Sequence, residues 1–131
     1  SKDNTNIRIT FFIIVLSLLL QSFQCEENRT PLEVTPEQLE QKKQEIHAYI
    51  QSFSCSNASD CSYIAFGAKP CGGPREYLAF PNTINLQTLQ NMVADYYALD
   101  NQYNIQTGAF SDCMVVNPPN ILDCESGDCI I

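Results

Sequence analysis

Apolar residues recur at helical spacing between residues 35 and 53. The positions that share one helical face are Leu39, Ile46, Ile50 and Phe53. Charged and amide side chains cover the other faces, which is the pattern of an amphipathic helix. Thr35 precedes Pro36, and Gln38 follows at the third helical position, so the start has a capping box with proline at its first position. The sequence therefore predicts a helix over residues 36–53 that buries one face.

A second and wider apolar face lies between residues 85 and 103. Its members are Leu86, Leu89, Met92, Val93, Tyr96, Tyr97, Leu99 and Tyr103. An arc of about 160° exceeds the stripe of a simple surface helix, so we expect the first helix and a sheet to cover this helix on two sides. Asp100 projects into the arc. Its carboxylate either hydrogen-bonds a tyrosine hydroxyl or lies where the helix reaches solvent. The alternative is a buried acid with a functional role.

Two short apolar runs flank a loop that is rich in glycine and proline. Residues 61–66 and 76–80 have the composition of strands. Between them, residues 67–75 contain three glycines and two prolines, a composition that prevents regular structure. The pattern predicts a hairpin-like pair of strands joined by this loop.

The C-terminal part of the chain predicts three further strands. Residues 112–116 form one, which Pro118 and Pro119 terminate. Residues 121–124 and 129–131 flank an acidic turn that contains glycine, and they predict a terminal hairpin. The expected fold is a small α+β domain, residues 35–131, with two main helices packed on a short antiparallel sheet.

The N-terminal segment has the pattern of an export signal. Lys2 and Arg8 accompany an apolar run, residues 9–20, that only Thr10 and Ser17 interrupt. This run has the length of a signal-peptide core and is too short to span a bilayer of about 30 Å as a helix. A buried core helix is the alternative. We expect residues 1–24 to be a signal peptide.

Cys25 follows this segment and is separated from the other cysteines. Residues 22–25 are similar to a bacterial lipobox, although Gln24 replaces the usual small residue, and Glu26 and Glu27 follow as in surface lipoproteins of the Bacteroidetes group. We expect Cys25 to carry a lipid that anchors the protein in a membrane, with residues 25–34 as the lipidated cysteine and a polar tether. The alternative is ordinary signal cleavage nearby, which would leave Cys25 free or in an intermolecular bond.

Six further cysteines follow the tether. They are Cys55, Cys61, Cys71, Cys113, Cys124 and Cys129. A domain of this size has a marginal core, and exported proteins commonly compensate with cross-links, so we expect three disulfides. We expect the sequence neighbours to pair, Cys55 with Cys61 and Cys124 with Cys129, leaving Cys71 with Cys113. The spacing lacks the Cys-x-x-Cys pairs of zinc sites, so we expect no metal.

Charge and composition exclude some classes of function. The formal net charge of −8 argues against nucleic acid or an anionic membrane surface as a partner, because both require a basic patch. No nucleophile elbow, zinc helix, dinucleotide fingerprint or repeat is visible. We therefore expect a protein that is not an enzyme and binds no cofactor.

The loop at residues 67–75 is the candidate binding loop. Its relevant residues are Lys69, Cys71, Gly72, Gly73 and Arg75. Glycines permit positive φ, and successive N–H groups flanked by cations can form an anion-binding nest. Alternatively, a rigid exposed loop can enter an enzyme cleft as an inhibitor, with Lys69 as the basic anchor. The simplest interpretation is a tight connection held by a disulfide.

Several other residues have two interpretations each. His47 lies at the edge of the first helical stripe, where it is either a half-exposed boundary residue or a catalytic group. Asp123, Glu125 and Asp128 are either a solvated turn or calcium ligands, although their spacing fits no EF-hand. Asn28 and Asn57 begin glycosylation acceptor motifs, which matter only in a eukaryotic host.

Three segments resemble a family of small secreted or lipid-anchored bacterial proteins of the Bacteroidetes type. These segments are IAFGAKPCGGPREYLAF, LQTLQNMVADYYALDNQYN and SDC at residues 111–113. The resemblance covers about residues 55–129, and its most specific part is the loop with glycine and cysteine. It implies a cell-envelope location, at an outer membrane or cell surface, and a domain with three disulfides; it implies no activity.

Three hypotheses of function follow. The first is a lipid-anchored, non-catalytic envelope domain that binds a protein or a glycan. The second is an inhibitor of an extracellular hydrolase that acts through residues 67–75, and the third is a small enzyme acting on envelope polymers through carboxylates or His47. A secreted or periplasmic location without an anchor is the alternative address.

Overall fold

The computed structural model describes residues 2–20 and 32–131. It contains two compact units, one ending at Leu32 and the other spanning Glu33–Ile131. The first unit contains helix α1, Lys2–Leu20, which includes the apolar run. No helix in the described ranges is both long and apolar enough to cross a membrane. Cys25, the predicted lipid site, lies outside the described residues.

Helix α2 spans Pro36–Gln51 and opens the second unit. The predicted capping box is confirmed: the Gln38 N–H donates to Thr35 Oγ1 at 3.2 Å, and the Thr35 N–H donates to Gln38 Oε1 at 2.9 Å. Leu39, Ile46 and Ile50 are buried, as the periodicity predicted. The helix ends at Gln51, with Ser52 as its C-cap, slightly before the predicted end at Phe53.

Helix α3 spans Leu86–Thr107, with Asn85 as its N-cap. It continues past the predicted end at Tyr103 because the first left-handed cap is Gly108, at φ 62°. One stripe is buried: Leu89, Val93, Tyr96, Asp100 and Asn104. The predicted arc was too wide at its edges, since Leu86 and Tyr97 are both about half exposed.

Strands β1, Cys61–Phe66, and β2, Glu76–Pro81, form the predicted antiparallel pair. Their register runs from Cys61↔Pro81 to Phe66↔Glu76. Phe66, Leu78 and Phe80 turn inward and join the buried residues of both helices in one core. The α+β fold, with helices on a short antiparallel sheet, is therefore as expected.

Strands β3, Asp123–Glu125, and β4, Asp128–Ile130, form a separate terminal hairpin. Ser126 and Gly127 both have positive φ, 54° and 90°, which is typical of the two-residue type I′ turn. The predicted third strand at residues 112–116 was wrong. This segment is irregular, Cys113 interrupts it with φ 57°, and no described strand lies alongside to pair with it.

Three disulfides hold these parts together, but two of the predicted pairings were wrong. Cys71 pairs with Cys113 as expected, whereas Cys55 pairs with Cys124 and Cys61 with Cys129. The terminal hairpin packs beside the start of β1, and the Cys55 N–H donates to the Gly127 carbonyl at 3.0 Å. Both bonds therefore join the hairpin to the main domain instead of closing short local loops.

The folded domain begins earlier than expected, because Val34 belongs to the core. Its side chain is buried, and the Gln106 amide holds its backbone on both sides. The Val34 N–H donates to Gln106 Oε1 at 2.9 Å, and Gln106 Nε2 donates to the Val34 carbonyl at 2.6 Å. The predicted tether, residues 25–34, therefore extended too far at its C-terminal end, because Val34 is part of the folded domain.

Candidate functional site

The glycine loop, residues 67–75, is folded back on itself. The Arg75 N–H donates to the Phe66 carbonyl, the Lys69 N–H to Gly73 and the Gly72 N–H to Lys69, each at 2.9 Å. Gly72 and Gly73 have φ of 94° and 81°, which only glycine adopts readily. Because the Lys69 and Gly72 N–H groups are used inside the loop, they do not converge on an external anion.

Arg75 belongs to a polar network at the base of the glycine loop. Its Nε and Nη2 donate to the Asp100 carboxylate at 2.7 and 3.1 Å, and Nη2 also donates to Asn104 Oδ1 at 2.8 Å. The Ala68 N–H donates to Asp100 at 2.7 Å, and Asn104 Nδ2 donates to the Ala68 carbonyl at 2.8 Å. Asp100 is only 3% exposed. The network fastens the loop to α3.

The electrostatics of this network stabilise the charged form of Arg75. Its hydrogen bond to Asp100 raises the pKa of Arg75 above the ordinary arginine value. Burial raises the pKa of Tyr96, and the negative charge of Asp100 raises it further. The Tyr96 ring stacks on Phe66 with 4.3 Å between centroids. Both oxygens of the Asp100 carboxylate thus accept hydrogen bonds from the loop, which is a structural role.

Lys69 is also engaged by the protein itself. Its ammonium donates to the Met114 carbonyl at 2.5 Å and lies 3.4 Å from Asp112 Oδ1, and its side chain is only 15% exposed. The Met114 N–H donates to Asp112 at 3.1 Å, and this bond, with the Lys69 charge, lowers the pKa of Asp112. Lys69 therefore does not project as the basic anchor that the inhibitor hypothesis requires.

The residues that follow Gly108 form what we call the pinned segment, residues 109–116. The exposed Cys71–Cys113 disulfide joins it to the glycine loop, and Lys69 fixes it at Met114. A cleft of about 250 Å³ lies between loop and segment. The non-glycine residue Cys113 holds a left-handed conformation there, a kind of strain that concentrates at functional sites.

Large apolar side chains of the pinned segment point into solvent. Phe110 is 94% exposed, Val115 83% and Met114 68%. Met114 and Val115 directly follow the cross-linked Cys113, and Phe110 precedes it by three residues, whereas single exposed apolar residues elsewhere need no explanation. The segment thus presents an apolar surface whose backbone is already restrained.

His47 lies elsewhere, in a cleft of about 370 Å³ formed by α2, β2 and the residues from Asp128 onward. Asp128 is the carboxylate among the lining residues, and none of them is a serine, a threonine or a free cysteine. His47 therefore has no serine, threonine or free cysteine beside it in this cleft.

The other candidate residues are the acidic residues of the terminal hairpin, three cysteines and Asn57. Asp123, Glu125 and Asp128 are exposed on the terminal hairpin. The sulfur atoms of Cys55, Cys61 and Cys129 lie within 4.8 Å of one another, but each belongs to a disulfide and cannot act as a thiolate ligand. The Asn57 side chain accepts from the Ser59 N–H and caps the 3-10 turn Ala58–Asp60.

Sequence reasoning missed the two features that define the site. Asn104 lies just beyond the apolar face at residues 85–103 that the sequence indicated, yet it is buried and bonded to the glycine loop. The exposure of Phe110, Met114 and Val115 was not foreseen either, because an apolar run such as residues 113–116 is typical of a buried strand. Asp100 gave the one usable signal, an acid inside an apolar arc.

The structure thus brings the glycine loop and the pinned segment together, while His47 and the acidic turn lie apart from them. No protein-family model, curated protein or solved structure is significantly similar to this chain, and the resemblance to small Bacteroidetes-type proteins stays a prediction.

Proposed function

We propose that this chain is an exported, lipid-anchored protein whose domain, residues 33–131, is a non-catalytic interaction module. Its interface is the pinned segment, and its partner is another protein. The observation that carries the proposal is the exposure of Phe110, Met114 and Val115 on a backbone fixed by the Cys71–Cys113 bond. Restraint of this kind favours binding because little conformational entropy remains to be lost.

The chemistry of the surface favours a protein over a glycan. Glycan sites need free hydrogen-bonding groups beside an aromatic face, but the neighbouring cations are occupied. Arg75 is bonded to Asp100 and Asn104, and Lys69 to Asp112 and Met114. An aromatic and a methionine side chain surrounded by already satisfied polar groups match the composition of a protein interface core.

The alternatives receive less support from the geometry. An inhibitor would have to contact its hydrolase through Met114 and Val115, since Lys69 is held against the domain. A hydrolytic mechanism based on His47 has no serine, threonine or free cysteine beside it in its cleft. A domain that binds without catalysis requires neither a projecting basic anchor nor a nucleophile beside His47.

The cross-links and the N-terminal pattern support the proposed location. Three disulfides in a domain of this size are typical of exported proteins, which fold in an oxidising compartment. We propose lipidation of Cys25 as the anchor, with the residues between it and the domain as a short tether.

The interface is tested by quantitative co-purification from gently solubilised envelopes. We compare the wild-type chain with a Phe110→Ser/Val115→Ser variant. Both residues are highly exposed, so the change should leave the melting temperature almost unaltered. We expect one protein to co-purify with wild type at constant stoichiometry and to be lost with the double variant.

The matched control is Leu86→Ser, which removes an exposed apolar side chain at the opposite end of α3. It should retain the partner at the wild-type ratio. Equal recovery from all three proteins, or recovery of no partner from any of them, would overturn the proposal.

A further inference from the structure

The cleft beside His47 runs along the outer edge of β2. Tyr77, Leu78, Ala79 and Pro81 line it, whereas no residue of β1 does. Neighbouring residues of a strand point to opposite faces of a sheet. A cleft that touches Tyr77, Leu78 and Ala79 alike reaches both faces, so it passes the free edge of the strand. We call it the edge cleft.

The hydrogen-bond pattern between β1 and β2 leaves the backbone N–H and C=O groups of Tyr77 and Ala79 directed into this cleft. The Asn82 N–H donates to the Asp60 carbonyl at 2.7 Å, which makes the pair just beyond the sheet a hydrogen-bonded one. Hydrogen-bonded pairs alternate in an antiparallel ladder, so in this register Phe80 and Leu78 bond to β1. Tyr77 and Ala79 then point their N–H and C=O groups away from β1. No other strand in the described ranges forms a ladder with this edge, although β4 packs beside β2.

Two apolar walls flank this edge, which bonds to no strand in the described part of the chain. Helix α2 and the residues after it contribute Ile50 and Phe53 on one side, and the chain from β4 onward contributes Ile130 and Ile131 on the other. The Cys61–Cys129 disulfide lies beside Pro81 and fixes the hairpin to the end of the sheet. A strand added to the edge would therefore place alternate side chains against opposite walls.

We propose that the edge cleft binds an extended peptide segment of a partner protein, which adds to β2 as a further strand. The unpaired N–H and C=O groups of Tyr77 and Ala79 recognise the peptide backbone. The two walls recognise alternate apolar side chains. This site is separate from the pinned segment and does not depend on it.

Charge complementarity restricts the peptide further. Among the residues that line the edge cleft, Asp128 is the one with a formal charge, and the whole chain carries a net charge of −8. An acidic peptide would be repelled, whereas a basic residue can pair with Asp128 at the rim. The expected ligand is an extended apolar segment that carries a lysine or an arginine.

The test begins with a displayed library of short random linear peptides, selected against the full chain with its disulfides intact. We expect the selected peptides to alternate apolar residues and to carry a basic residue. Amide hydrogen exchange of the complex with one synthetic selected peptide should show new protection at Tyr77 and Ala79.

Ala79→Pro removes one N–H donor from the free edge while sparing the bonds to β1. Proline is tolerated where the missing N–H faces away from the ladder, and Pro81 already has this phase in β2. We expect peptide affinity to fall by about tenfold or more. The matched control is Ala65→Pro at the corresponding outward phase of β1, which should leave affinity within about twofold.

A second variant keeps the test decisive if Ala79→Pro fails to fold. Ile130→Lys places a cation on the edge-cleft wall and should abolish binding of the same basic peptide. The Phe110→Ser/Val115→Ser variant should bind it normally, so failure of this site and failure of the pinned segment are distinguishable. Selection of no binder, or binders unaffected by both Ala79→Pro and Ile130→Lys, would refute the proposal.

Discussion

Asp100 accepts hydrogen bonds from the Ala68 N–H and from two guanidinium nitrogens of Arg75 inside the domain. No described buried side-chain polar atom lacks a hydrogen-bond partner. Removing the carboxylate would take away the partner of the Ala68 N–H and of Arg75 Nε, while Arg75 Nη2 would keep its bond to Asn104, and a buried donor left without a partner costs more than the bond itself contributes. Together with Asn104, this residue therefore holds the glycine loop on α3.

We predict that Asp100→Ala destabilises the domain by about 2–3 kcal/mol, less than a fully buried pair because Arg75 is partly exposed and can recover water. Urea denaturation measures the change. The control Glu45→Ala removes the partner of Lys42 in an exposed pair and should cost less than about 0.5 kcal/mol. Equal effects of the two substitutions would contradict the assigned role of Asp100.

Asp112 provides a pH-dependent contact at the pinned segment. Its pKa in the folded protein lies below the ordinary value of 3.8, first because the Met114 N–H bonds to the carboxylate and then because Lys69 is near. Because the pKa of Asp112 is lower in the folded protein, the stability that this contact contributes is complete at pH values above the ordinary pKa. It is lost as the pH falls through the lower pKa of the folded protein.

We therefore predict that the Met114 amide resonance titrates with a midpoint below 3.8 in an NMR pH series. Lys69→Met should move the midpoint upward without abolishing the transition, since the Met114 bond remains. A midpoint at or above the ordinary value in the wild-type protein would show that the contact does not form.

The three disulfides differ in their access to solvent. Cys71 and Cys113 are exposed, whereas Cys55 and Cys61 are buried in the other two bonds. Thiolate attack on a disulfide requires access to a sulfur atom. The bond between the glycine loop and the pinned segment is therefore the most accessible of the three.

We predict that mild reductant opens the Cys71–Cys113 bond first and leaves the fold intact. Alkylation of trapped thiols followed by peptide mass spectrometry identifies the order. The same digest should contain Cys55–Cys124 and Cys61–Cys129 peptides, each closing a long loop worth about 4 kcal/mol in the chain-entropy model. Recovery of Cys55–Cys61 or Cys124–Cys129 peptides would contradict the fold.

Signals between neighbouring residues predicted most of the helices and strands. The sequence carries no comparable signal for contacts between residues that are far apart in the chain. Thr35, Pro36 and Gln38 fixed the start of α2 because capping involves only neighbours along the chain. The pairing of Cys55 with Cys124 depends instead on where the terminal hairpin packs, and no spacing encodes that. Likewise, strand propensity at residues 112–116 had no effect without a partner strand.

The candidate site was only partly predictable for the same reason. The composition of the glycine loop identified it as irregular and distinctive, and Asp100 stood out inside an apolar face. The partners of Lys69 and Arg75 lie far away in sequence, at Met114 and Asp100. Whether a cation projects or folds back is decided by such contacts, so the sequence could not separate an anchor from a structural residue.

We propose that the N-terminal segment and the domain together make an anchored binding protein. The proposed lipid at Cys25 would keep the domain close to a membrane, and the proposed interface lies on a segment held by the Cys71–Cys113 disulfide. We predict that intact mass of detergent-extracted protein corresponds to a start at Cys25 plus acyl chains. Enzymatic or chemical deacylation serves as the control. A soluble product with an unmodified cysteine would contradict the anchor.

The proposed binding role is tested most directly by site-specific photocrosslinking in intact cells. A photoreactive amino acid replaces Val115 in the pinned segment, and the control carries it at Asn91, an exposed polar position on α3. We predict one discrete adduct of higher mass from position 115 and none from position 91. No adduct at position 115, or the same adduct from both positions, would show that the pinned segment is not a protein interface.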